Sequence, residues 1–366
     1  MKPVIFRNIR TYTMKQALLT LIIIASLSFS IVNAMEIEQI GVYDFGVAYD
    51  VVVQDDVAYL SGNNGVDVFD ITDKTNPIKL TRITTPDGAL GLCVIDNTLY
   101  IAATSNGLMI VDISDPENPE TLSIVSAIFG MDVYVNQDYA YVASSTSFSV
   151  IDVSDPSNPE RVVTVSGNER VYKMHGVEDT LYIGETDQGL MVYDTTDPTE
   201  PTYIRTVSGT TGIFDITSNT DKLYLGCHGN GVKILDITDR QNPELIGSYN
   251  NGGEAYGVTV VDDFLLVADL QQGVEILDVS NPRIPTLAAR WTTTHPHDIA
   301  GDTEYVFLAD QDDGLEIFRY GDDVEPVEQV EVEEEENSIP IQTWHIVAGL
   351  MISVALLKKH AHQRIP

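Results

Sequence analysis

The stretch Gly107-Leu108-Met109-Ile110-Val111-Asp112-Ile113-Ser114-Asp115-Pro116-Glu117-Asn118-Pro119 decides how this chain folds, because it recurs along the sequence. Clear copies begin at Gly65, Gly189, Gly231 and Gly273, and degenerate copies begin at Ser147 and Gly314. The residue that ends each apolar run recurs every 40 to 42 positions, as Asp70, Asp112, Asp152, Asp194, Asp236, Asp278 and finally Arg319. A repeat of about 40–45 residues built from short strands is typical of a propeller blade. The pattern therefore predicts an all-β, seven-bladed β-propeller.

Each repeat divides into four short antiparallel strands separated by turn signals. In the second repeat the strands are predicted at 89–95, 98–103, 108–113 and 121–125. Asn106-Gly107 suits a tight hairpin, since both residues tolerate positive φ. The prolines of the Asp-Pro-x-Asn-Pro turn lack amide donors and end the third strand. The repeated aspartate stands just before this turn, where a carboxylate accepts backbone amides, and we interpret it as turn chemistry.

The two ends of the array complement each other. After Gly314 the seventh repeat has one strand, at 315–320, and lacks its fourth. Ahead of the first repeat there is one surplus strand, at 37–43. A surplus at one end and a deficit at the other predict that the N-terminal strand completes the last blade, which closes the ring and removes its open edges.

The apolar run with its aspartate and the following Asp-Pro and Asn-Pro resembles the LVIVD-repeat family of secreted and cell-surface β-propellers. The resemblance covers nearly all of residues 35–321 and departs from the pattern at Ser147 and Arg319. It implies the propeller fold and a surface location. It implies no shared reaction, so no catalytic residue is carried over from it.

The segments outside the repeats predict export and anchoring. Residues 1–34 combine basic residues, an apolar run and a small-residue exit at Ala34, as in a signal peptide. Residues 322–340 form a predicted acidic linker and residues 341–357 a predicted transmembrane helix. The uncharged stretch 338–357, which contains this helix, would span about 30 Å. Lysines open the short tail at 358–366, and basic residues favour the cytoplasm. We therefore expect a single-pass protein of the cell membrane with its propeller outside; an uncleaved N-terminal anchor and a C-terminal amphipathic or sorting helix are the alternatives.

The charge balance narrows the class of partner. The chain has 55 acidic and 20 basic residues and a net charge of −35. Most of this excess lies in the repeats, which argues against nucleic acid, because phosphate binding needs clustered Lys and Arg. The two cysteines, Cys93 and Cys227, fall three repeats apart in apolar strands, so we expect two free thiols.

The starts of the first strands are the candidate site. In a propeller these strands line the central channel, and the copies align at Tyr49, Leu90, Met131, Tyr172, Phe214, Tyr256 and His297. The next position gives Asp50, Gly91, Asp132, Lys173, Asp215, Gly257 and Asp298. From these positions we select a ligand-binding set at one channel mouth, which consists of Tyr49, Asp50, Asp132, Tyr172, Lys173, Asp215, Tyr256, His297 and Asp298. The same side chains would equally hold neighbouring blades together.

No cofactor is predicted, although two kinds of metal site have some support. The gathered carboxylates suit a hard cation such as Ca²⁺, and Lys173 would equally neutralise them. His295 and His297 suit a transition metal if His175 or His228 comes near them. The Asp310 to Gly314 run resembles a calcium loop but occupies an ordinary hairpin position.

The sequence thus favours a non-enzymatic binding or scaffolding module whose partner is an extracellular protein, peptide or glycan. It contains no Gly-x-Ser-x-Gly, His-Glu-x-x-His or phosphate-loop motif. The alternative is an extracellular hydrolase or lyase with His297 as base and a cation held by the aspartates. A purely structural envelope component is a third class.

Overall fold

The structure is a computed structural model that describes residues 35–44, 46–126, 128–166, 171–321 and 324. Within these residues the chain is all-β and forms seven four-stranded antiparallel sheets. The predicted signal peptide, acidic linker, transmembrane helix and tail lie outside the described residues, apart from Val324. No helix long and apolar enough to cross a membrane occurs in the described part of the chain.

Each sheet is one blade, and its strands run outward from the centre in chain order for the first six blades. The first strand, β1 (Glu36–Tyr43), belongs to blade seven. The strands of blades one to three are β2 (Ala48–Gln54), β3 (Val57–Gly62), β4 (Gly65–Asp70), β5 (Ile78–Thr84), β6 (Leu92–Ile95), β7 (Thr98–Ala102), β8 (Leu108–Asp112), β9 (Glu120–Val125), β10 (Asp132–Asn136), β11 (Tyr139–Ser144), β12 (Ser147–Asp152) and β13 (Glu160–Ser166).

Blades four to seven repeat the arrangement. Their strands are β14 (Val171–Val177), β15 (Thr180–Glu185), β16 (Gly189–Asp194), β17 (Thr202–Val207), β18 (Asp215–Ser218), β19 (Lys222–Gly226), β20 (Val232–Asp236), β21 (Glu244–Tyr249), β22 (Ala255–Val261), β23 (Phe264–Asp269), β24 (Gly273–Asp278), β25 (Thr286–Trp291), β26 (Pro296–Gly301), β27 (Tyr305–Asp310) and β28 (Gly314–Gly321). The seventh sheet has the order β1-β28-β27-β26, in which the N-terminal strand pairs antiparallel with the last strand.

The predicted strand bounds agree with the observed ones to within three residues. The largest difference is in the second blade, where β6 begins at Leu92 and not at Ala89. Leu90 and Gly91 still exchange backbone hydrogen bonds with Ala102, so this stretch follows the blade without the regular ladder of a strand.

The core lies between blades. Seven hydrophobic clusters each join two neighbouring sheets, and one of them packs Ala48, Leu60 and Phe69 of the first blade against Phe307 and Ile317 of the last. The second-strand positions that the repeat marks as apolar are all buried, namely Tyr59, Tyr100, Tyr141, Tyr182, Tyr224, Leu266 and Phe307. Burial of such side chains supplies about 2 kcal/mol each, so the apolar contacts between blades stabilise the ring.

The repeated aspartates form the turns that the sequence predicts. Asp112 Oδ1 accepts the backbone amide of Ser114 at 2.8 Å, and Asp236 Oδ1 accepts that of Thr238 at 2.9 Å. The equivalent bond is made by Asp70, Asp152, Asp194 and Asp278. These carboxylates are therefore structural parts of the turns.

Candidate functional site

The first strands of neighbouring blades contact one another all the way around the ring, so they enclose its centre. Their starts surround a cavity of about 350 Å³. All nine predicted site residues line this cavity: Tyr49, Asp50, Asp132, Tyr172, Lys173, Asp215, Tyr256, His297 and Asp298. Leu90, Gly91, Met131, Phe214 and Gln311 complete the lining, so every blade contributes to it. We call this cavity the channel mouth.

β-Bulges explain how two consecutive residues reach the same cavity. On a regular strand, adjacent side chains point to opposite faces. In β14, Val171 pairs with Glu185 and Lys173 with Gly184, so the register of the ladder shifts by one residue at Tyr172. Tyr256 and His297 occupy the same place in β22 and β26. A bulge re-aims side chains and is frequent beside functional sites.

Rings form a continuous arc around the mouth. Neighbouring ring centroids are 4.5 Å apart for Tyr172 and Phe214, 4.6 Å for Phe214 and Tyr256, and 5.3 Å for Tyr256 and His297. Tyr49 continues the arc, 5.6 Å from His297. Separations of 4.5–7 Å with inclined planes are the favoured geometry of aromatic pairs. We call these five side chains the ring arc.

The channel mouth is also lined by four aspartates and one lysine, and these aspartates are buried whereas the residues of the ring arc are partly exposed. Lys173 Nζ is 3.5 Å from Asp215 Oδ1, 3.7 Å from Asp132 Oδ1 and 3.8 Å from Asp50 Oδ2. Asp298 also contributes to the field at the ammonium. We call these five side chains the acidic floor; its formal charge is negative even with the lysine included.

Each floor aspartate is held by the next blade. The carboxylate oxygen Oδ2 accepts a backbone amide from Leu92 for Asp50, from Met174 for Asp132, from Val258 for Asp215 and from Val51 for Asp298, at 2.7 to 3.1 Å. The Asp298 bond joins the last blade to the first. These bonds orient the carboxylates and also join neighbouring blades. The same aspartates therefore line the cavity and hold the ring together.

Gly91 and Gly257 occupy the position of the floor aspartates in their own blades, and the space there is too small for a Cβ. A Cβ on Gly91 would lie 2.5 Å from Asp132 Oδ1 and 2.7 Å from its Cα. A Cβ on Gly257 would lie 2.7 Å from Asp298 Cα. Only glycine leaves room for the aspartate of the following blade.

Burial changes the protonation of the floor. It raises the pKa of Asp132 to about 6 and raises the pKa of Asp215, against the lowering effect of Lys173. Burial, together with the charge of Asp50 and a hydrogen bond to it, raises the pKa of Asp298 well above its usual range. Although burial opposes its charge, the surrounding aspartates raise the pKa of Lys173. The floor is therefore a cluster that retains protons.

The sequence left open whether His175 or His228 approaches His295 and His297, and in the structure the four histidines have four different hydrogen-bond or ion-pair partners. His295 Nδ1 lies 2.6 Å from Asp312 Oδ2, and His175 Nε2 lies 2.8 Å from Ser218 Oγ. His228 Nε2 lies 3.3 Å from Glu254 Oε2, and His297 Nδ1 donates to the Tyr49 carbonyl at 2.6 Å. Burial lowers the pKa of His297 and keeps it neutral.

No metal-binding group of three or more His, Cys, Asp or Glu side chains occurs among the described residues. Asp310 Oδ1 accepts the amides of Asp312 and Asp313, which makes its loop a hairpin turn. Cys93 and Cys227 are free thiols, as predicted, and burial raises the pKa of each to about 12.

Two of the five lining residues outside the predicted set, Phe214 and Gln311, have side chains that could contact a ligand. Phe214 aligns with the ring positions, but it is apolar and the predicted ligand-binding set consists of polar side chains. Gln311 follows Asp310 in the hairpin of the last blade and has no counterpart signal in the repeat. Only the assembled ring brings Gln311 to the channel mouth.

The fold defines a seven-bladed β-propeller, and residues of all seven blades line the channel mouth. The sequence pattern of the LVIVD repeat matches residues 45–85, 89–126, 130–167, 177–208, 221–251 and 252–293, and the chain belongs to the LVIVD-repeat family. The seventh blade lies outside the matched ranges, in keeping with its degenerate repeat. No curated protein matches the sequence.

Solved structures agree on the fold. The WD40 β-propeller domain of Doa1 is similar with a TM-score of 0.64 at 13% identity, and the match covers 77% of this chain and 96% of that one. The computationally designed Ika8 protein is similar with a TM-score of 0.58 at 10% identity, covering 77% of this chain and 99% of that one. At such identities the likeness concerns architecture alone.

Proposed function

We propose that this propeller is a binding module that takes its ligand at the channel mouth. One observation carries the proposal: seven blades with a common repeat contribute different side chains to one cavity. A framework that repeats while its pocket varies is what a binding site on a rigid scaffold requires. The expected partners are a protein, a peptide or a glycan that presents one group to the pocket.

The test uses the full chain, purified in detergent and applied to peptide and glycan arrays. The variant Phe214→Ala/Tyr256→Ala shortens the ring arc, and Tyr203→Ala removes an exposed tyrosine from an outer strand as the matched control. Ligands bound by the wild type and the control but lost from the double variant would support the proposal. Ligands that all three proteins bind equally, or none at all, would contradict it.

The cation-assisted hydrolase or lyase is the second candidate, supported by the neutral imidazole of His297 in the cavity. Lys173 Nζ lies among three aspartates, in the position that a Ca²⁺ ion would need, so we rank this function lower. Elemental analysis of the purified chain tests it. A stoichiometric metal that is lost in Asp50→Asn would reverse the ranking.

We propose further that the protein is exported and anchored in the membrane by residues 341–357, with the propeller outside. The apolar run of that segment and the lysines after it support this orientation. Protease treatment of intact cells that express the full chain, beside a variant lacking 341–357, tests it. A propeller that the protease cannot reach in intact cells would contradict the outward orientation. Release of the propeller from the membrane in the variant lacking 341–357, but not in the full chain, would support the anchor.

The N-terminal strand is proposed to close the ring. It pairs with β28 along its length, and Gln39 donates from its side chain to Glu316. Deletion of residues 36–43 would uncover the edge of β28, so we expect a lower melting temperature and self-association. A monomer of unchanged melting temperature on size-exclusion chromatography would contradict this role.

A further inference from the structure

The acidic floor is only partly neutralised by its own lysine. Four carboxylates face one ammonium, and Lys173 Nζ is no closer than 3.5 Å to any of the three carboxylates with which it forms ion pairs. Good charged hydrogen bonds are about 2.7–2.9 Å long. The ammonium therefore lies between the carboxylates without a short bond to these three, and negative charge remains beneath the cavity.

The backbone prevents the floor from relieving this excess by rotating the carboxylates outward. Oδ2 of Asp132 is fixed by the Met174 amide at 2.7 Å, and Oδ2 of Asp215 by the Val258 amide at 2.7 Å. Both residues are buried, with 3% and 6% of their surface exposed. Burial is the largest cause of the raised pKa values of Asp132 and Asp298, and the negative charges of Asp50 and Asp215 raise both pKa values further.

The walls above the floor suit a cation as well. Within the ring arc Phe214 contacts both Tyr172 and Tyr256, and aromatic rings attract a cation placed within about 6 Å. An anion would be repelled by the floor. A neutral sugar would stack on the rings but would leave the charge excess in place.

The size of the cavity limits what enters. At about 350 Å³ it is at the lower end of ligand pockets, which is enough for one side chain or a small amine. A protein or peptide partner would therefore insert a single group.

We infer, on the basis of the proposed binding function, that the channel mouth takes an organic cation. The ligand is an alkylammonium or guanidinium group, such as the end of a Lys or Arg side chain, with its charge above the acidic floor and its alkyl part against the ring arc. This assigns a ligand class to the cavity and a basic, solvent-exposed segment to any macromolecular partner.

Calorimetric titration of the full chain in detergent tests the inference with single compounds. The cationic probes are Nα-acetyl-lysine methylamide, Nα-acetyl-arginine methylamide and tetramethylammonium; methyl β-glucoside and Nα-acetyl-glutamate methylamide are the neutral and anionic comparators. We expect saturable binding of the cations alone, weakened by added salt. Because a bound cation lowers the proton affinity of the floor, binding should release protons, which titrations in buffers of different ionisation enthalpy would detect.

Matched variants separate the ring arc from mere bulk. Phe214→Leu keeps an apolar side chain but removes the ring, whereas Phe214→Tyr keeps the ring. We expect Phe214→Leu to weaken cation binding about 10-fold and Phe214→Tyr to leave it near wild type. Equal binding by both variants would overturn the role of the rings.

Floor variants give the sign of the charge effect. Lys173→Met removes the internal competitor, so a cation should bind more tightly, whereas a sugar or an anion that uses Lys173 would bind more weakly. Asp215→Asn should weaken cation binding several-fold and serves as the readout if Lys173→Met does not fold.

The outcomes distinguish this inference from the proposed function. Methyl β-glucoside that binds through Phe214 and is not displaced by the cations would overturn the cation inference and keep the binding function. Failure of every array ligand and every probe to depend on the mouth residues would contradict both. Binding of the cations that is unchanged in Phe214→Leu and Asp215→Asn would overturn the inference alone.

Discussion

Asp236 and Asp132 are aspartates at two different positions of the repeat, in different blades, and the carboxylate of each accepts a hydrogen bond from a backbone amide. Asp236, at the end of a third strand, bonds to Thr238, and its hydrogen bonds there lower its pKa to about 2. Asp132, at the start of a first strand, bonds to Met174, yet burial raises its pKa to about 6. The difference comes from burial and not from the number of amides, because desolvation penalises the charged form. The repeated aspartates that end the third strands, here called the regular aspartates, form turns within each blade. The aspartates of the acidic floor gather negative charge at the centre of the ring.

The largest effect on stability should come from removing the one positive charge of the acidic floor. Lys173→Met leaves buried carboxylates without their counter-ion, and breaking a buried ion pair costs about 3–5 kcal/mol. We expect a large fall in unfolding free energy in urea denaturation at pH 8 and a smaller fall at pH 5, where the carboxyl groups are protonated. The control Lys222→Met loses ion pairs with two partly exposed aspartates and should lose at most about 1 kcal/mol. Equal losses for the two variants would mean that the floor behaves like the surface.

The pH dependence should distinguish the two regions by sign. Folded Asp132, with a pKa of about 6, and Glu316, with a pKa of about 7, bind protons more tightly than in the unfolded chain. Their contribution to stability is fully present below the unfolded pKa near 4. It is lost as pH rises through about 6 for Asp132, where the loss is about 3 kcal/mol, and through about 7 for Glu316. The lowered pKa of Asp236 works in the opposite direction, and its contribution is lost as pH falls from about 4 through 2.

Denaturation midpoints measured from pH 2 to pH 8 check this. Asp132→Asn should flatten the decline between pH 4 and pH 7, and Asp236→Asn should flatten the fall below pH 4. A wild-type stability that rises steadily from pH 4 to pH 8 would contradict the account of the floor.

Space at the floor gives the next effect. Gly91→Ala would place a Cβ 2.5 Å from Asp132 Oδ1, and overpacking of this kind costs about 1–3 kcal/mol. Gly229→Ala is the matched control, since a Cβ there meets no atom within 4 Å. Thermal denaturation compares the two variants. A Gly91→Ala protein as stable as the control would show that the floor is not tightly packed.

The smallest effect is expected at the regular aspartates. Asp112→Ala removes the bond to the Ser114 amide at the surface, where water replaces it, whereas Asp112→Asn keeps an acceptor. The melting temperature of Asp112→Ala should fall less than that of Gly91→Ala, and that of Asp112→Asn should remain near wild type. A fall in Asp112→Ala as large as that in Lys173→Met would remove the distinction between the two sets of aspartates.

Much of this protein was readable from its sequence because its signals are local and repeated. The period, the four strands of each blade and the Asp-Pro turns each depend on residues that are near neighbours in the chain. The alignment of copies also located the nine mouth residues, since equivalent positions in a ring converge on one axis. The alignment left the partners of the histidines open, because those partners depend on distances between residues that are far apart in the chain.

The sequence by itself thus determined the number of blades, the buried second-strand positions and the turn role of the regular aspartates, because each is imposed by the chain's own local geometry. Only the tertiary structure decided that Lys173 lies among Asp50, Asp132 and Asp215, that bulges turn Tyr172 and Tyr256 toward the cavity, and that Gln311 joins it. Those features depend on residues of different blades meeting at the axis. Burial at the axis raises the pKa of Asp132, whereas the pKa of the surface aspartate Asp236 is lowered.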